Sequence, residues 1–564
     1  MRTEPVQSAP AAPGDSRVLG NQQAQRLVAY ADPWTTPQEA FYDIYDLLPR
    51  VVDPKQHLQI EGRRGTGKTV LMVNSYLRVR ERFEAMRGSP PYTVGIYVDL
   101  SQDVGAPREN MPVVRGYMLF RQILQLILTV TSRPGNRRDR RFWGLQDYLE
   151  ERPQWFRRLW GKWRLDRYRT VVERLGDDMY SHPMFQQILK AQRGLYAPAP
   201  RLKAFAQNAP RMAASAMPRR AAGPAPLPQS FRQTRMLPSL VFEKRLVDLY
   251  RHFGHKLLDA LDPLLDAMQV RNLVLFIDEW SGPSIGSDTQ PYLFEQLANT
   301  FTPDSRVTLK FATVPGATRL AFDSSTTRVT PIYLDHLASF QPHWMRNRLI
   351  RMLILNLSAS IGRDFPVSRY QNEAEENAGY PTFARDVFQN EEALDELVQA
   401  SESLPRQMLL LFMSAVQLQS IYGARKRLSA AVIRMAARQL FTTQFEVTIN
   451  HDRVVGEVFA AMLQAGARVL DVERLPVFYE ALDWLVNEGV IFRCGSSGQT
   501  TGEEAFIRYK LSYPAEVYRL AQGQGAVGPA WFERMRVEPV MNCDQMVDPP
   551  KVYLSALAAN LFEA

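Results

Sequence analysis

The sequence predicts an α/β fold: a parallel sheet flanked by helices, then a helical region, then a small unit of helices and a hairpin. Three observations predict it. Through the first 340 or so residues, short strand-like runs alternate with stretches of helical periodicity, which is the pattern of βαβ units. One run, Asn272 to Asp278, is almost wholly apolar without alternation, as a strand covered on both faces of a parallel sheet must be. From Phe340 to about Thr443 the periodicity is helical only. From Glu446 to Leu520, two helical stretches lead into Gly489-Val-Ile-Phe492, a Gly/Ser turn and Ala505-Phe-Ile-Arg-Tyr-Lys-Leu511.

The elements follow in order. Residues 1–32 read as a flexible tail, rich in Ala, Pro and Gln. Pro33 to Arg50 predicts a short helical lead-in with Phe41, Ile44, Tyr45 and Leu48 on one face. A strand at His57–Glu61 runs into a Gly-rich loop, and a helix follows from Lys68 to about Phe83. Tyr92–Leu100 is a second strand, set off by Pro90 and Pro91. Tyr117–Thr131 is an apolar helix, and Val241–Met268 a long one with Leu246, Leu249, Tyr250, Phe253, Leu257 and Leu261 at helical intervals. Asn272–Asp278, Val307–Thr313 and Arg328–Leu334 complete the predicted strands. The organisation expected is a core at 33–339 interrupted by an insertion at 133–242, a helical lid at 340–445, a winged-helix module at 446–520 and a C-terminal tail at 521–564.

Composition bounds the function. With 564 residues, 45% hydrophobic and 23% charged, the chain is globular and long enough for several domains, which excludes a fibrous or wholly disordered protein. The most apolar stretch, Tyr117 to Val130, is interrupted by Arg121, Gln122 and Gln125, so no membrane span is expected. Two cysteines, Cys494 and Cys543, exclude a disulfide framework and a Cys-based zinc site. The N-terminus lacks the apolar segment of a secretory signal. The expected localisation is cytoplasmic.

The net charge of +9 is localised. Residues 133–242 hold 22 Lys+Arg against 8 Asp+Glu, and the rest of the chain 46 against 51. Met179 to Phe242 has no acidic residue and is rich in Pro and Ala, so about 191–238 is expected to be disordered. Upstream, Trp143, Trp155, Trp160 and Trp163 lie among arginines, with Phe156, Leu159, Trp160 and Trp163 at helical spacing. Such a helix either buries its rings and solvates its basic face, or offers both to nucleic acid or an acidic partner. Both readings suit one helix.

Gly62-Arg-Arg-Gly-Thr-Gly-Lys-Thr69 fits G-x-x-x-x-G-K-[ST] between a strand and a helix. Glycines let backbone N–H groups close around phosphates, and the helix N-terminus adds a positive dipole end. The expected ligands are ATP and Mg2+. The binding set is Gly62, Arg63, Arg64, Gly65, Thr66, Gly67, Lys68 and Thr69, with Lys68 on the β/γ-phosphates and Thr69 on the metal. Arg63 and Arg64 put extra cation in the loop and either contact phosphate or face solvent. Leu273-Val-Leu-Phe-Ile-Asp-Glu279 ends a buried strand in two carboxylates, where open α/β sheets place ligands. Asp278 would hold Mg2+ through water, and Glu279 would polarise the attacking water. His252 and His255, at i and i+3, have no companion ligands that would make a metal site.

With Lys310-Phe-Ala-Thr-Val-Pro315 and Ser403-Leu-Pro-Arg406, these motifs resemble Walker A, Walker B, sensor 1 and sensor 2 of AAA+ ATPases. The lid followed by a winged helix resembles the origin-recognition-type initiators and their bacterial relatives. The resemblance covers about 33–520, less the insertion. It implies a P-loop NTPase fold and ATP hydrolysis, with Thr313 near the γ-phosphate and Arg406 reaching the nucleotide from the lid. It also implies a homo-oligomer in which a neighbouring subunit supplies an arginine finger, Arg319 or Arg328 being candidates. In initiators the winged helix binds duplex DNA. Residues 446–520 here hold 7 Lys+Arg against 11 Asp+Glu, which leaves only a local basic wing of Arg493, Arg508 and Lys510 for phosphate contact. The expected function is ATP-driven assembly or remodelling of a nucleic-acid-containing complex, with nucleic acid held through 133–242 and a protein partner engaged. The alternative is a nucleotide-dependent regulatory switch or scaffold in a multi-protein system such as bacterial anti-phage defence.

Overall fold

The computed structural model describes residues 34, 40–86, 91–101, 111–132, 155–196, 240–282, 285–286, 288–315, 318, 320, 329–335, 342–361, 365, 370, 380–422, 427–494, 506–522, 524, 528–537 and 549–562. The predicted tail at 1–32 lies outside them. Five strands form one sheet: β1 (Leu58–Glu61), β2 (Tyr92–Asp99), β3 (Val270–Asp278), β4 (Val307–Thr313) and β5 (Thr330–Tyr333), in the order β2-β3-β4-β1-β5. All pairings are parallel, so the fold is the α/β class expected. Parallel strands bring every carboxyl end to one edge. The register sets Glu61 beside Thr313 and Asp99 beside Asp278. Because β4 lies between β1 and β3, Thr313 sits between the loop after β1 and the carboxylates after β3.

The ranges of β2, β3 and β4 were readable because these strands are covered on both faces over most of their length, whereas β5 is exposed at three of its four positions. β4 is buried at every position, and even Lys310 is accommodated, its Nζ donating to Asp53 O and Gln56 O at 2.7 Å each. The lead-in differs from expectation. Among the described residues of that stretch, the α-helix is α1 (Leu48–Val52). Pro49 suits a first helical turn but would break a helix interior, and the Asp43 carboxylate accepts from Leu48 N at 2.6 Å.

Around the sheet lie α2 (Lys68–Ala85), α3 (Pro112–Ser132), α4 (Trp155–Ser181), α5 (Pro183–Tyr196), α6 (Leu240–Ala267) and α7 (Gln290–Thr300). α3 starts before the predicted range. Contrary to the sequence reading, its stretch Pro112–Val130 is long and apolar enough to cross a membrane by length and composition. In the fold, Val113, Leu119, Ile123 and Ile127 of α3 are fully buried in the core. A Cβ on Gly116 would stand 2.8 Å from Tyr292 Cβ, so glycine is what lets α3 and α7 cross this closely.

The basic insertion is partly core. Tyr168, Val172, Leu175 and Met179 of α4 and Phe185, Ile188 and Leu189 of α5 are buried. Residues 191–196 are helical, where disorder was expected; 197–239 lie outside the described residues. Among the described side chains of α4, the buried stripe starts at Tyr168. Trp163 is exposed, with the Arg164 guanidinium 4.6 Å from its ring. The side chains of Trp155, Phe156, Leu159 and Trp160, and all of Trp143, lie outside the described residues. Residues 162–181 carry five basic and four acidic residues, so the segment's charge excess lies on either side of this buried stretch.

The lid comprises α8 (Pro342–Ile361), α9 (Pro381–Val387), α10 (Glu391–Ala400), α11 (Pro405–Tyr422) and α12 (Ala430–Phe441). Asn390 and Ser429 cap α10 and α12 through Ala393 N and Val432 N. A short π-helical stretch, Thr442–Glu446, leads to α13 (Val447–His451). The C-terminal module holds α14 (Arg453–Gln464), β6 (Val469–Glu473), α15 (Tyr479–Asn487), β7 (Ile491–Arg493) and β8 (Phe506–Leu511), followed by α16 (Tyr513–Ala521), α17 (Pro529–Arg534), β9 (Lys551–Val552) and α18 (Ser555–Phe562). Its sheet runs β7-β8-β6-β9. The hairpin β7–β8 was expected; β6 and β9 were not. Residues 521–564, expected as a tail, supply α17, β9 and α18. α16 and α17 pack into the same hydrophobic core as the lid, and the rest of the module forms a second core. Cys494, after β7, is disulfide-bonded.

Candidate nucleotide site

The loop after β1 is anchored at its base, where Gly62 N donates to Thr313 O at 3.2 Å. A Cβ on Gly62 would stand 2.7 Å from Thr66 Oγ1. Gly65 and Gly67 sit at φ of +88° and +90°, a region costly for residues with a Cβ. Thr66 Oγ1 donates to Arg63 O at 2.9 Å, and Tyr45 OH donates to Thr66 O at 3.1 Å. Helix α2 then begins at Lys68, and no side chain caps its first turn. Its leading N–H groups thus face the loop as an open anion site.

Lys68 is buried inside this turn, with Nζ donating to Gly62 O at 2.6 Å and Arg63 O at 2.9 Å. Burial lowers its pKa to about 8, against the pull of Asp278, Asp335 and Glu279. Asp278 is buried at the end of β3. Its Oδ2 accepts from Tyr97 OH at 2.6 Å and its Oδ1 from Glu279 N at 2.9 Å. Burial, then Asp278, holds the Tyr97 proton well above the ordinary tyrosine range, so that hydroxyl stays a donor. Asp99, beside Asp278, accepts from Ser101 N at 2.9 Å and Ser101 Oγ at 2.6 Å. Glu279 takes a left-handed backbone, φ +57°. Loss of hydration, then Asp278 and Asp99, raises its carboxyl above the ordinary value; Lys68 and Arg64 oppose them. Beyond it, Val314 N donates to both Ser281 Oγ and Thr318 Oγ1 at 3.2 Å, which stitches the segments after β3 and β4 together.

Thr313 is fully buried. Its hydroxyl accepts from Gln59 Nε2 at 3.2 Å, and the same amide donates to Glu61 at 2.8 Å. Arg406, the second residue of α11, lies beside the loop: its N donates to Gly65 O at 3.3 Å, and its Cβ lies 3.6 Å from where a Gly65 Cβ would be. The fold therefore brings Lys68, Asp278, Glu279, Thr313 and Arg406 to one edge. Arg319 and Arg328 lie outside the described residues.

The loop arginines have protein partners, which neither reading of the sequence foresaw. Arg63 Nε donates to Asp335 Oδ1 at 2.7 Å and its N to Oδ2 at 3.0 Å, while its guanidinium lies 4.0 Å from the Phe492 ring centroid. Arg64 pairs with Glu488 of the C-terminal module. The expected basic wing is also largely neutralised. Arg508 pairs with Asp471 at 2.8 Å and Lys510 with Glu402 at 2.7 Å, leaving Arg493 exposed. Asp99, Asp335, Tyr97 and Gln59 were missed. Asp99 had a signal, since YTVGIYVDL also ends an apolar run in a carboxylate; Gln59 and Tyr97 lie near the motifs, but their partners Thr313 and Asp278 are 254 and 181 residues away, and Asp335 is 272 residues from Arg63.

Among the described residues, no group of three His, Cys, Asp or Glu side chains is arranged to hold a metal. No family model and no curated protein matches the chain. Similar solved structures include the Aeropyrum pernix ORC2 protein in ADPNP–ADP complexes, 11% identical, covering 91% of this chain and 95% of that one with a TM-score of 0.31. Drosophila ORC bound to DNA is 12% identical over 93% of this chain and 96% of that one, TM-score 0.31. The ADP form of the A. pernix protein is 12% identical over 92% and 98%, TM-score 0.24.

Proposed function

We propose that the chain is an AAA+-type ATPase that binds ATP with Mg2+ on the loop 62–69 and hydrolyses it. The observation that carries this is the convergence on one sheet edge of an uncapped helix N-terminus, a glycine cradle, a buried lysine and the Asp278–Glu279 pair. The cradle and donor set fit a polyphosphate. Mg2+ needs no protein cage, because it keeps waters and takes one or two protein oxygens beside the phosphates; here Thr69 and Asp278 would hold it. When bound, the ion offsets charge on the β- and γ-phosphate oxygens.

The other steps fall to side chains. Loop N–H groups and Lys68 bind and orient the phosphates. Glu279, with its raised pKa, takes a proton from the attacking water. Thr313 and Arg406 act at the γ-phosphate side, Arg406 from the lid. Lys68→Ala should abolish nucleotide binding, whereas Glu279→Gln should keep binding and lose about 10²–10⁴-fold in turnover. Normal hydrolysis by Glu279→Gln would sink the catalytic assignment.

The work to which turnover is coupled is proposed as assembly or remodelling of a nucleic-acid-containing complex through the basic segment 133–242. DNA-stimulated turnover whose affinity falls steeply with salt would support it. Equal DNA affinity in a chain lacking 197–239 would move the contact elsewhere. The second reading, a nucleotide-dependent switch within a multi-protein system, is favoured by one observation: both loop arginines touch the C-terminal module, Arg63 at Phe492 and Arg64 at Glu488. Turnover indifferent to DNA would favour it over the first.

A further inference from the structure

We infer that Glu402 is a positioning residue through which the C-terminal module sets Arg406 against the phosphate loop; this rests on the ATPase reading above.

The turn between α10 and α11 is strained. Glu402 and Ser403 stand consecutively at φ of +51° and +60°, a conformation single non-glycine residues adopt only when their surroundings enforce it. Two residues later, Pro405 opens α11, with its Cγ 4.0 Å from a Cβ built on Gly67, and Arg406 bonds to Gly65. The strained turn thus delivers Arg406.

What enforces the turn is the module. Glu402 Oε1 pairs with Arg468 Nη2 and Oε2 with Lys510 Nζ, both at 2.7 Å. Side-chain exposures of 9%, 7% and 13% make this a buried triad. Burial alone would raise the Glu402 pKa; Lys510 and Arg468 more than offset it, and the carboxylate stays charged. Arg468 Nε also donates to Leu511 O at 3.4 Å, and Lys510 lies 5.3 Å from the Phe492 ring that Arg63 covers from the loop. Leu404 lies 4.0 Å from a Cβ built on Gly489. The module therefore grips the turn at Glu402 while the turn holds Arg406 at Gly65. Loosening the grip lets two strained residues relax and carries Arg406 off the loop.

The test uses the full-length chain, ATP turnover and fluorescent-nucleotide binding. Glu402→Gln keeps shape and removes charge. It should lower kcat by about tenfold to a hundredfold, the cost of a misplaced catalytic group, with little change in nucleotide affinity, because the loop and Lys68 are untouched. In an Arg406→Ala background the same change should cost almost nothing, since Glu402 acts through Arg406. Effects that multiply, or full turnover in Glu402→Gln, would overturn the inference. Arg468→Met, which leaves Glu402 paired with Lys510, reads the same coupling if Glu402→Gln does not fold. If Arg406→Ala itself turns over normally, the ATPase reading of the lid fails; if Arg406→Ala is slow and Glu402→Gln is not, only the present inference fails.

Discussion

At the residue scale, the proposed catalytic base is Glu279. Its left-handed φ of +57° costs about 1–3 kcal/mol, and Gly282 N closes the following turn onto its carbonyl at 2.9 Å. The carboxylate lies over that turn, its Oε2 3.5 Å from where a Gly282 Cβ would be, and in the field of Asp278 and Asp99. Because its pKa is raised, Glu279 holds its proton to a higher pH than an ordinary glutamate, and the base form is lost as pH falls through that raised value. The acid limb of kcat should therefore lie above about 4.3, the ordinary glutamate value. Arg64 opposes the rise, so in Arg64→Ala the limb should move higher still. A pH profile of kcat for both proteins decides this: a limb that stays put in Arg64→Ala rules out the assigned electrostatics. The Asp-Glu pair was legible in the sequence because it ends an apolar run. The strain and the Asp99 field were not, because they depend on strand register.

At the element scale, β4 and β6 show what sequence can and cannot deliver. Val307–Thr313 was readable to the residue, since every position is covered and the run is mostly apolar. β6, Val469–Glu473, was not: it is only five residues long and lies between two helical stretches, and it becomes a strand through its pairing with β8, Asp471 facing Arg508. Partners across the sheet were equally hidden; Arg63 and Asp335 are 272 residues apart. At the other end of the sheet, His57 Nδ1 accepts from Leu309 N at 2.9 Å in a buried setting. Burial first, then Lys310, lowers its pKa to about 4. Between pH 6.5 and 4 the unfolded chain gains a proton that the folded chain does not, so stability falls as pH falls, by about 3 kcal/mol over the window. His57→Asn keeps an acceptor for Leu309 N and does not titrate. Urea midpoints taken from pH 7 to pH 4 should fall less in the variant than in the wild type; parallel curves would show that His57 is not the titrating group.

At the scale of the whole molecule, the C-terminal module is held unequally on its two sides. Towards the lid it is bound by the buried Glu402 triad, by Arg434 bridging Glu396 and Phe532 O at 2.8 and 2.9 Å, and by a shared apolar core. Towards the phosphate loop it has the Arg63–Phe492 stack and one open pair, Arg64–Glu488, with the arginine side chain 50% exposed. Such a pair contributes about 0–1 kcal/mol. The lid and module are thus one unit, and the loop contact is its weak edge. We propose that Arg64 also meets phosphate when nucleotide is bound; it cannot then serve Glu488 and a phosphate fully at once, so the two compete, and linkage makes the competition reciprocal. Glu488→Gln should therefore tighten ATP binding, by up to about fivefold given the worth of an exposed pair. The gain should shrink as salt rises, because the charges are accessible to screening, and it should vanish in an Arg64→Ala background. ATP titrations of the single and double variants at low and high salt measure all three effects. Weaker binding in Glu488→Gln would mean that the carboxylate supports the nucleotide rather than competing with it, and the module would then be a part of the site rather than its rival.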